Sequence, residues 1–307
     1  MCSVIDKNFY NEASALKLGW DPTWFGEKHF DDDLIKSIRR WQKKNGLTAD
    51  GMCGPATYRR VYNERISSEV KSGVIDVDEE SDSFLVCAGK KIPIDWPRVV
   101  LWTDNNGLKI NRSFSPYIGK KRKITMFVNH WDVCLNSETC VKVLNRRNIS
   151  VHFCIDNDGT IYQLMDLNDA AWHASSRKVN HKSLGVEIAN AYYLKYQPWY
   201  KRNGFGERPI ISGAKIHGKP MKDFTDFYPV QKEALKALWR ACHKEFDIPY
   251  ECPLNNSGEQ SDTTDASVKR GTFKGFINHY NVVKSKIDCA GLPIKEMLEH
   301  LKKEEDE

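Results

Sequence analysis

Short apolar runs alternate with amphipathic segments from residue 124 to the C-terminus, and this alternation limits the possible fold more than any other feature. The runs at 124–128, 151–155, 160–164 and 184–188 have the length and composition of β-strands. Asn157-Asp158-Gly159 separates two of these runs and is typical of a hairpin turn. Amphipathic helices are predicted after Pro229 and Pro293. The pattern predicts an α/β fold in which helices flank a mixed β-sheet.

The N-terminal part of the chain has a helical pattern instead. Acidic residues at 31–33 precede apolar residues at helical spacing, and Asn45-Gly46 ends this predicted helix. Pro55 suits the first position of a second helix, and an earlier segment with Phe9, Ala13 and Leu16 supplies a third. We predict a helical domain at residues 1–65, a polar and acidic linker at 66–83, and a second domain at 84–307.

Composition narrows the class of protein. The 307 residues include 46 Lys+Arg and 41 Asp+Glu, a net charge of +5 that is too weak to indicate a nucleic-acid partner. No apolar run approaches the roughly 20 residues of a membrane span, and residues 1–7 do not resemble a secretory signal. We therefore expect synthesis in a cytoplasm with reduced thiols. The nine cysteines are an odd number, so disulfides cannot pair all of them.

Two histidines follow apolar runs that end in Asn-His, at His130 and His279. Asp288 and Cys289 come shortly after the second, and together these side chains are the ligand types of a catalytic zinc site with one open position. Other histidines, at 152, 173 and 181, are competing candidates. Spacing alone does not choose among them.

The N-terminal motifs resemble a known wall-binding repeat. The strings Ile38-Arg39-Arg40-Trp41-Gln42, Asn45-Gly46-Leu47, Asp50-Gly51 and Gly54-Pro55-Ala56-Thr57 are similar to the three-helix peptidoglycan-binding domain of many cell-wall hydrolases. The resemblance implies that residues 1–65 bind peptidoglycan. Its candidate wall-binding residues are Trp41, Gln42, Asp50, Gly51, Gly54 and Thr57.

Motifs in the second domain resemble the zinc-dependent N-acetylmuramoyl-L-alanine amidases of type 2, over about residues 123–302. They are Phe127-Val128-Asn129-His130, Val151-His152-Phe153-Cys154-Ile155, Ala171-Trp172-His173-Ala174, Ser183-Leu184-Gly185-Val186-Glu187-Ile188 and the segment from His279 to Gly291. The resemblance implies the type 2 amidase fold, a Zn²⁺ cofactor and peptidoglycan as the substrate.

Site residues follow from this resemblance position by position. His130 and His279 correspond to two zinc ligands, and the third is either Asp288, two residues after Lys286, or Cys289, which precedes Ala290-Gly291. Both options stay open. The resemblance further implies that Glu187 is the general base and that Lys286 stabilises the oxyanion.

The substrate groove is less well defined by the sequence. The resemblance assigns His173, with Trp172 beside it, to the groove, and Asn180 to the same wall. The segment from Ala191 to Tyr228 exceeds ordinary loop lengths, and it either shapes the groove or lies outside it.

The combined motifs predict a monomeric, modular wall-lytic enzyme similar to a phage endolysin, made in the host cytoplasm and acting in the periplasm after release. It would hydrolyse the amide between N-acetylmuramic acid and L-alanine. One alternative is a bacterial amidase for wall remodelling or for recycling muropeptides. Another is a non-catalytic peptidoglycan recognition protein, which would not need the zinc ligands.

Overall fold

A computed structural model describes residues 5–69, 83–111 and 122–306. The described residues fall into two compact units, one built from the N-terminal helices together with residues 142–147 and the other from a β-sheet with its flanking helices. No helix in the described ranges is both long enough and apolar enough to cross a lipid bilayer.

Three helices form the N-terminal unit: α1 (Lys7–Leu18), α2 (Asp32–Lys44) and α3 (Pro55–Glu69), with a short 3₁₀ helix at Pro22–Phe25. Asp31 caps α2 by accepting hydrogen bonds from the backbone N–H groups of Asp33 and Leu34, both at 3.1 Å. The helix ends at Asn45, so both predicted limits are confirmed. Helix α3 continues beyond residue 65, while residues 70–82 of the predicted linker lie outside the described residues.

Helix α1 forms where a helix was predicted, but it buries a different face. Phe9 and Leu16 are 70% and 89% exposed, whereas Asn11, Ala15 and Leu18 are buried. The Asn11 side chain donates to the carbonyl of Gly51 at 3.0 Å and accepts from the N–H of Cys53 at 2.9 Å. The apolar spacing predicted the wrong buried face, because the side chain that faces the loop at residues 51–53 is the hydrogen-bonded amide of Asn11 rather than an apolar side chain.

The second unit contains all twelve described strands: β1 (Phe84–Cys87), β2 (Lys90–Pro93), β3 (Val99–Leu101), β4 (Met126–Trp131), β5 (Phe153–Ile155), β6 (Ile161–Gln163), β7 (Ser183–Ile188), β8 (Ile210–Ile211), β9 (Lys215–Ile216), β10 (Lys219–Pro220), β11 (Phe224–Thr225) and β12 (Gly275–Asn278). Six of them form the central sheet in the order β12-β4-β7-β5-β6-β3. Only β5 and β6 pair antiparallel within that sheet, so the predicted mixed sheet is confirmed.

Helices cover the sheet, as predicted. They are α4 (Ser137–Arg147), α5 (Arg177–Lys182), α6 (Gln197–Arg202), α7 (Pro229–Phe246), α8 (Ala266–Arg270), α9 (His279–Val282) and α10 (Ile294–Asp306), with a 3₁₀ helix at Leu194–Tyr196. The larger apolar core includes Phe127, Val186 and Trp239 and lies on the side of α7. A smaller core on the opposite face contains Met126 and Val128 of β4. Because strand residues alternate between faces, His130 projects from the face with the smaller core.

Candidate active site

The two predicted ligand histidines meet because their strands are neighbours. Strands β4 and β12 pair parallel with Asn129 opposite Asn278, so the next residue of each strand is a histidine at the same edge of the sheet. His279 begins helix α9, and His130 lies inside β4 rather than just beyond it, because that strand continues to Trp131. Both histidines are buried.

The asparagines that precede the histidines fix this arrangement. Asn129 donates its side-chain N–H to the carbonyl of Ile277 at 3.0 Å and accepts from the indole N–H of Trp239 at 3.2 Å. The N–H of Asn278 donates to the side chain of Asn281 at 2.9 Å, which caps α9. The repeated Asn-His pattern therefore has a physical basis, since the side chain of Asn129 bonds the neighbouring strand and that of Asn278 donates to the hydroxyl of Tyr280 at 2.8 Å.

Asp288 completes a triangle of potential ligand atoms with the two histidines. Nδ1 of His130, Nδ1 of His279 and Oδ2 of Asp288 lie 3.0 Å from one another. The backbone N–H of Tyr280 donates to the Asp288 carbonyl at 3.1 Å, which ties this loop to α9. Cys289 instead packs in the larger apolar core and is fully buried. Of the two candidates for a third ligand, the geometry brings Asp288 to the histidines.

The electrostatics of the triangle favour a neutral His130 and an ionised Asp288. Burial, then the charge of His279, and more weakly that of Lys286, lower the pKa of His130 to about 4. Burial alone would raise the pKa of Asp288, but the neighbouring His279 and His130 hold it well below its usual value. At neutral pH the triangle therefore contains a neutral His130 imidazole and a negatively charged Asp288 carboxylate.

Glu187 and Lys286 adjoin the triangle. Glu187 on β7 pairs directly with His130 on β4, so both side chains project from the same face of the sheet. Glu187 is half-buried, a degree of exposure that leaves it open to a substrate. Lys286 is also half-buried and lies close enough for its charge to act on His130.

His173 lies directly behind His130. Its Nδ1 is 3.0 Å from Nε2 of His130, and its Nε2 is 3.2 Å from Oγ of Ser183. Gly185 provides the space for this ring, since a Cβ there would lie 2.5 Å from Nδ1 of His173. Both ring nitrogens are thus engaged inside the protein. Ser183 and Gly185 belong to the motif recognised in the sequence, but that motif did not show that they contact His173.

The remaining predicted groove residues have different surroundings. Trp172 is 36% exposed and can contact a substrate. Asn180 is only 1% exposed and accepts from the backbone N–H groups of His173 and Ala174, so it shapes the loop and cannot line a groove. His152 is fully buried and accepts from the N–H of Gly185 at 3.1 Å, away from the triangle. His181 is not part of the triangle either.

The N-terminal unit has a cavity of about 300 Å³ that includes several predicted wall-binding residues. Its walls are formed by Tyr10, Gln42, Leu47, Thr48, Asp50, Met52, Gly54, Pro55, Ala56 and Thr57. Gln42 is 1% exposed and bonds the side chain of Asp50, the side chain of Thr57 and the backbone of Gly51. Its role is therefore to build the cavity wall.

Two further predicted wall-binding residues lie outside the lining of this cavity. The indole N–H of Trp41 donates to Glu64 at 2.9 Å, and its ring packs edge-on against Phe25. Gly51 has φ of +80°, and a Cβ there would lie 2.7 Å from the side chain of Ile35. Gly51 is thus required by the backbone of the loop that carries Asp50.

Comparisons with known families agree with the two units. Residues 120–288, more than half of the chain, match the family model described as N-acetylmuramoyl-L-alanine amidase. Residues 17–61 match the model of a peptidoglycan binding domain. No curated protein matches the sequence.

Several solved structures are similar to parts of the chain. They include the N-acetylmuramoyl-L-alanine amidase LysC from Clostridium intestinale (16% identity, 67% of this chain and 99% of that chain, TM-score 0.38) and the endolysin amidase LysCS from the same organism (16%, 67% and 96%, 0.38). AmpDh3 from Pseudomonas aeruginosa in complex with anhydromuramic pentapeptide has 20% identity, with 64% of each chain covered and a TM-score of 0.38.

Proposed function

Since the chain belongs to the N-acetylmuramoyl-L-alanine amidase family, we propose that it hydrolyses the amide between N-acetylmuramic acid and L-alanine. In this proposal His130, His279 and Asp288 hold a zinc ion that takes part in the reaction. The observation that carries this proposal is the triangle of two imidazole nitrogens and one carboxylate oxygen with sides of 3.0 Å. The three atoms come from β4, the start of α9 and the loop after it.

The donor set fits Zn²⁺. Tetrahedral zinc with nitrogen and oxygen ligands at about 2.0–2.2 Å places those ligands roughly 3.3–3.6 Å apart, a few tenths of an ångström longer than the sides of the triangle. Three protein ligands leave one position open, as in catalytic zinc sites. When bound there, Zn²⁺ would supply Lewis acidity and bring the pKa of a water toward ~7. Cys289 lies in the apolar core and packs there rather than serving as a ligand.

Glu187 acts as the general base in this proposal. Its register partner is His130, so its carboxylate is carried on the same face of the sheet as the triangle. It takes a proton from the attacking water and returns a proton to the amine of L-alanine as the amide bond breaks. The half-buried position supports this role because it combines access to substrate with partial exclusion of water.

Lys286 stabilises the charge that develops on the carbonyl oxygen. Its ammonium group lies near the triangle, two residues before Asp288. A fixed positive charge at that place stabilises a developing oxyanion more than it stabilises the neutral amide. Trp172, exposed beside this face, supplies apolar surface for the glycan or the stem peptide.

The proposed reaction can be tested with purified sacculi and a soluble muropeptide. We expect new free amino groups on L-alanine and intact glycan strands, both identified by mass spectrometry. A metal chelator should abolish the reaction, and added Zn²⁺ should restore it. Cleavage within the glycan, or full activity in chelator, would contradict the proposal.

A tethered wall-lytic role, as in an endolysin, is favoured over recycling of soluble muropeptides. The observation behind this preference is the N-terminal unit with its cavity and its match to a peptidoglycan binding domain. A linked wall-binding unit raises the local concentration of an insoluble substrate but gives no advantage on soluble fragments. A non-catalytic recognition protein is disfavoured because the complete ligand triangle is present.

A further inference from the structure

A chain of hydrogen bonds leads from a backbone carbonyl to the ring of His130. Oγ of Ser183 donates to the carbonyl of Val179 at 2.8 Å. The same Oγ lies 3.2 Å from Nε2 of His173, whose Nδ1 lies 3.0 Å from Nε2 of His130. We refer to Ser183, His173 and His130 as the histidine relay.

The carbonyl fixes the direction of every bond in the relay. A carbonyl oxygen only accepts, so the single hydroxyl proton of Ser183 is used in the bond to Val179. Ser183 must then accept from Nε2–H of His173. A neutral imidazole has one N–H, so Nδ1 of His173 is an acceptor and Nε2 of His130 is the donor to it. Nδ1 of His130 is left without a proton.

The relay requires that His173 is neutral, and its surroundings support this. The polar partners of its ring are Nε2 of His130 and the hydroxyl of Ser183, and neither carries a negative charge. A protonated His173 would donate at both nitrogens and reverse the relay, so neutrality sets its direction.

We propose that His173 is a positioning residue that fixes the tautomer of His130, so that the lone pair of Nδ1 faces His279 and Asp288. The inference rests on the proposed function, because that lone pair is the one that would bind Zn²⁺. A histidine that binds a metal through Nδ1 keeps a proton on Nε2 and needs an acceptor there. His173 is this acceptor, and the direction deduced from Ser183 agrees with that requirement.

Gly185 keeps the ring of His173 in its place. A Cβ at this position would lie 2.5 Å from Nδ1 and 2.7 Å from Cε1 of the ring, closer than real Cβ contacts allow. Gly185 pairs with Val128, two residues before His130, so the ring rests on the strand beside β4. We therefore expect Gly185→Ala to displace His173 and to have the same effect as loss of the acceptor.

The tautomer can be measured directly in metal-free, full-length protein by ¹⁵N NMR of the histidine rings. We expect His130 to have an unprotonated Nδ1 and a protonated Nε2. Ser183→Ala removes the acceptor that orients His173, so both tautomers of His130 should be populated in that variant. A wild-type His130 with its proton on Nδ1, or an unchanged spectrum in Ser183→Ala, would overturn the relay.

Two variants at position 173 separate the acceptor from the bulk of the ring. His173→Asn keeps an acceptor near the position of Nδ1, whereas His173→Leu fills similar space without one. Zn²⁺ affinity, measured by competition with a chromogenic chelator, should fall roughly 10- to 100-fold in His173→Leu and stay close to wild type in His173→Asn. Equal affinities in both would overturn the inference. A wild type that binds no Zn²⁺ would instead overturn the proposed function, and the NMR result would still decide the tautomer.

Discussion

Glu187 lies beside His130 in the register of the sheet, and in the proposed function its carboxylate accepts a proton from the attacking water. Replacing it with glutamine keeps the shape and removes the base, so kcat on a soluble muropeptide should fall roughly 10²- to 10⁴-fold. The metal content should be unchanged, because Glu187 is not part of the ligand triangle. Glu207→Gln, at an exposed position, is the matched control. Retention of wild-type kcat in Glu187→Gln would remove Glu187 from the mechanism.

We expect the free energy of unfolding to depend on pH through the buried carboxyl of Asp132. One carboxylate oxygen accepts from the N–H groups of Cys134 and Asn190, but the other is buried without a hydrogen-bond partner in the described part of the chain. Burial raises the pKa of Asp132 from 3.8 to about 8. Between these values the folded state binds a proton that the unfolded state releases, so stability falls as pH rises.

Asp132→Asn should remove this dependence. The contribution of Asp132 has a slope of up to about 1.4 kcal/mol per pH unit between pH 4 and 8, and it is absent in the variant. Urea unfolding of both proteins across this range measures the difference in the free energy of unfolding. The variant should gain stability relative to wild type as pH rises. A difference that is constant with pH would show that Asp132 is ionised throughout.

At the scale of residues, the sequence motifs named side chains that lie near one another in the structure. They are His130, His279, Lys286 and Glu187. The choice between Asp288 and Cys289 could not be made from spacing, because adjacent residues in a loop can point in opposite directions. Asn180 was assigned to the groove although it is buried, because a motif does not report the exposure of a side chain.

Among the elements, the segment 191–228 supports the loop that carries Lys286 and Asp288. Nε2–H of His217 donates to the carbonyl of Lys286 at 2.9 Å. Ile211 and Phe224 contact Gly291, where a Cβ would lie 2.3 Å from the side chain of Ile211. The segment thus contributes to the site by holding this loop from the side. This contact could not be predicted because it joins parts of the chain far apart in sequence.

Arg208 anchors the same segment to the body of the domain. It is 2% exposed, donates to the carbonyls of Ala189 and Asp226 at 2.7 and 3.0 Å, and is hydrogen-bonded to the side chain of Asn157. Its guanidinium also lies 4.3 Å from the ring centroid of Tyr200. The Ala189 carbonyl also accepts from Gln231, so the acceptors that depend on Arg208 are the Asp226 carbonyl and the side-chain oxygen of Asn157.

Arg208→Ala should lower the free energy of unfolding by more than about 2 kcal/mol, because each buried acceptor left without a partner costs roughly 1–3 kcal/mol. Chemical denaturation measures the loss, with Arg202→Ala, at an exposed arginine of the same segment, as the control. A variant as stable as the control would show that Arg208 does not anchor the segment.

Prediction of elements succeeded where local patterns dominate. Helix α2 has a cap, an apolar stripe and a terminating Asn-Gly, and its limits were correct. The strands between 84 and 101 were not located, since β1, β2 and β3 are only three or four residues long and have scattered apolar residues. Their pairing depends on contacts with distant parts of the chain, such as that of β3 with β6.

At the scale of the whole molecule, the proposal assigns wall binding to one unit and hydrolysis to the other. Ala56 is exposed at the wall of the N-terminal cavity, so Ala56→Trp in the full-length protein should fill part of it. We expect weaker sedimentation with sacculi and unchanged cleavage of a soluble muropeptide. Leu16→Trp, at an exposed position outside the cavity lining, is the control. Wild-type sedimentation of Ala56→Trp would exclude this cavity as the wall-binding site.

The metal content of two neighbouring variants tests the central claim most directly. Wild-type protein should contain about one Zn²⁺ per chain when measured by mass spectrometry. Asp288→Ala should lose both the metal and muropeptide cleavage, whereas Cys289→Ala should keep both and lose only some stability, because its side chain packs in the core. Retention of the metal in Asp288→Ala together with its loss in Cys289→Ala would contradict the account.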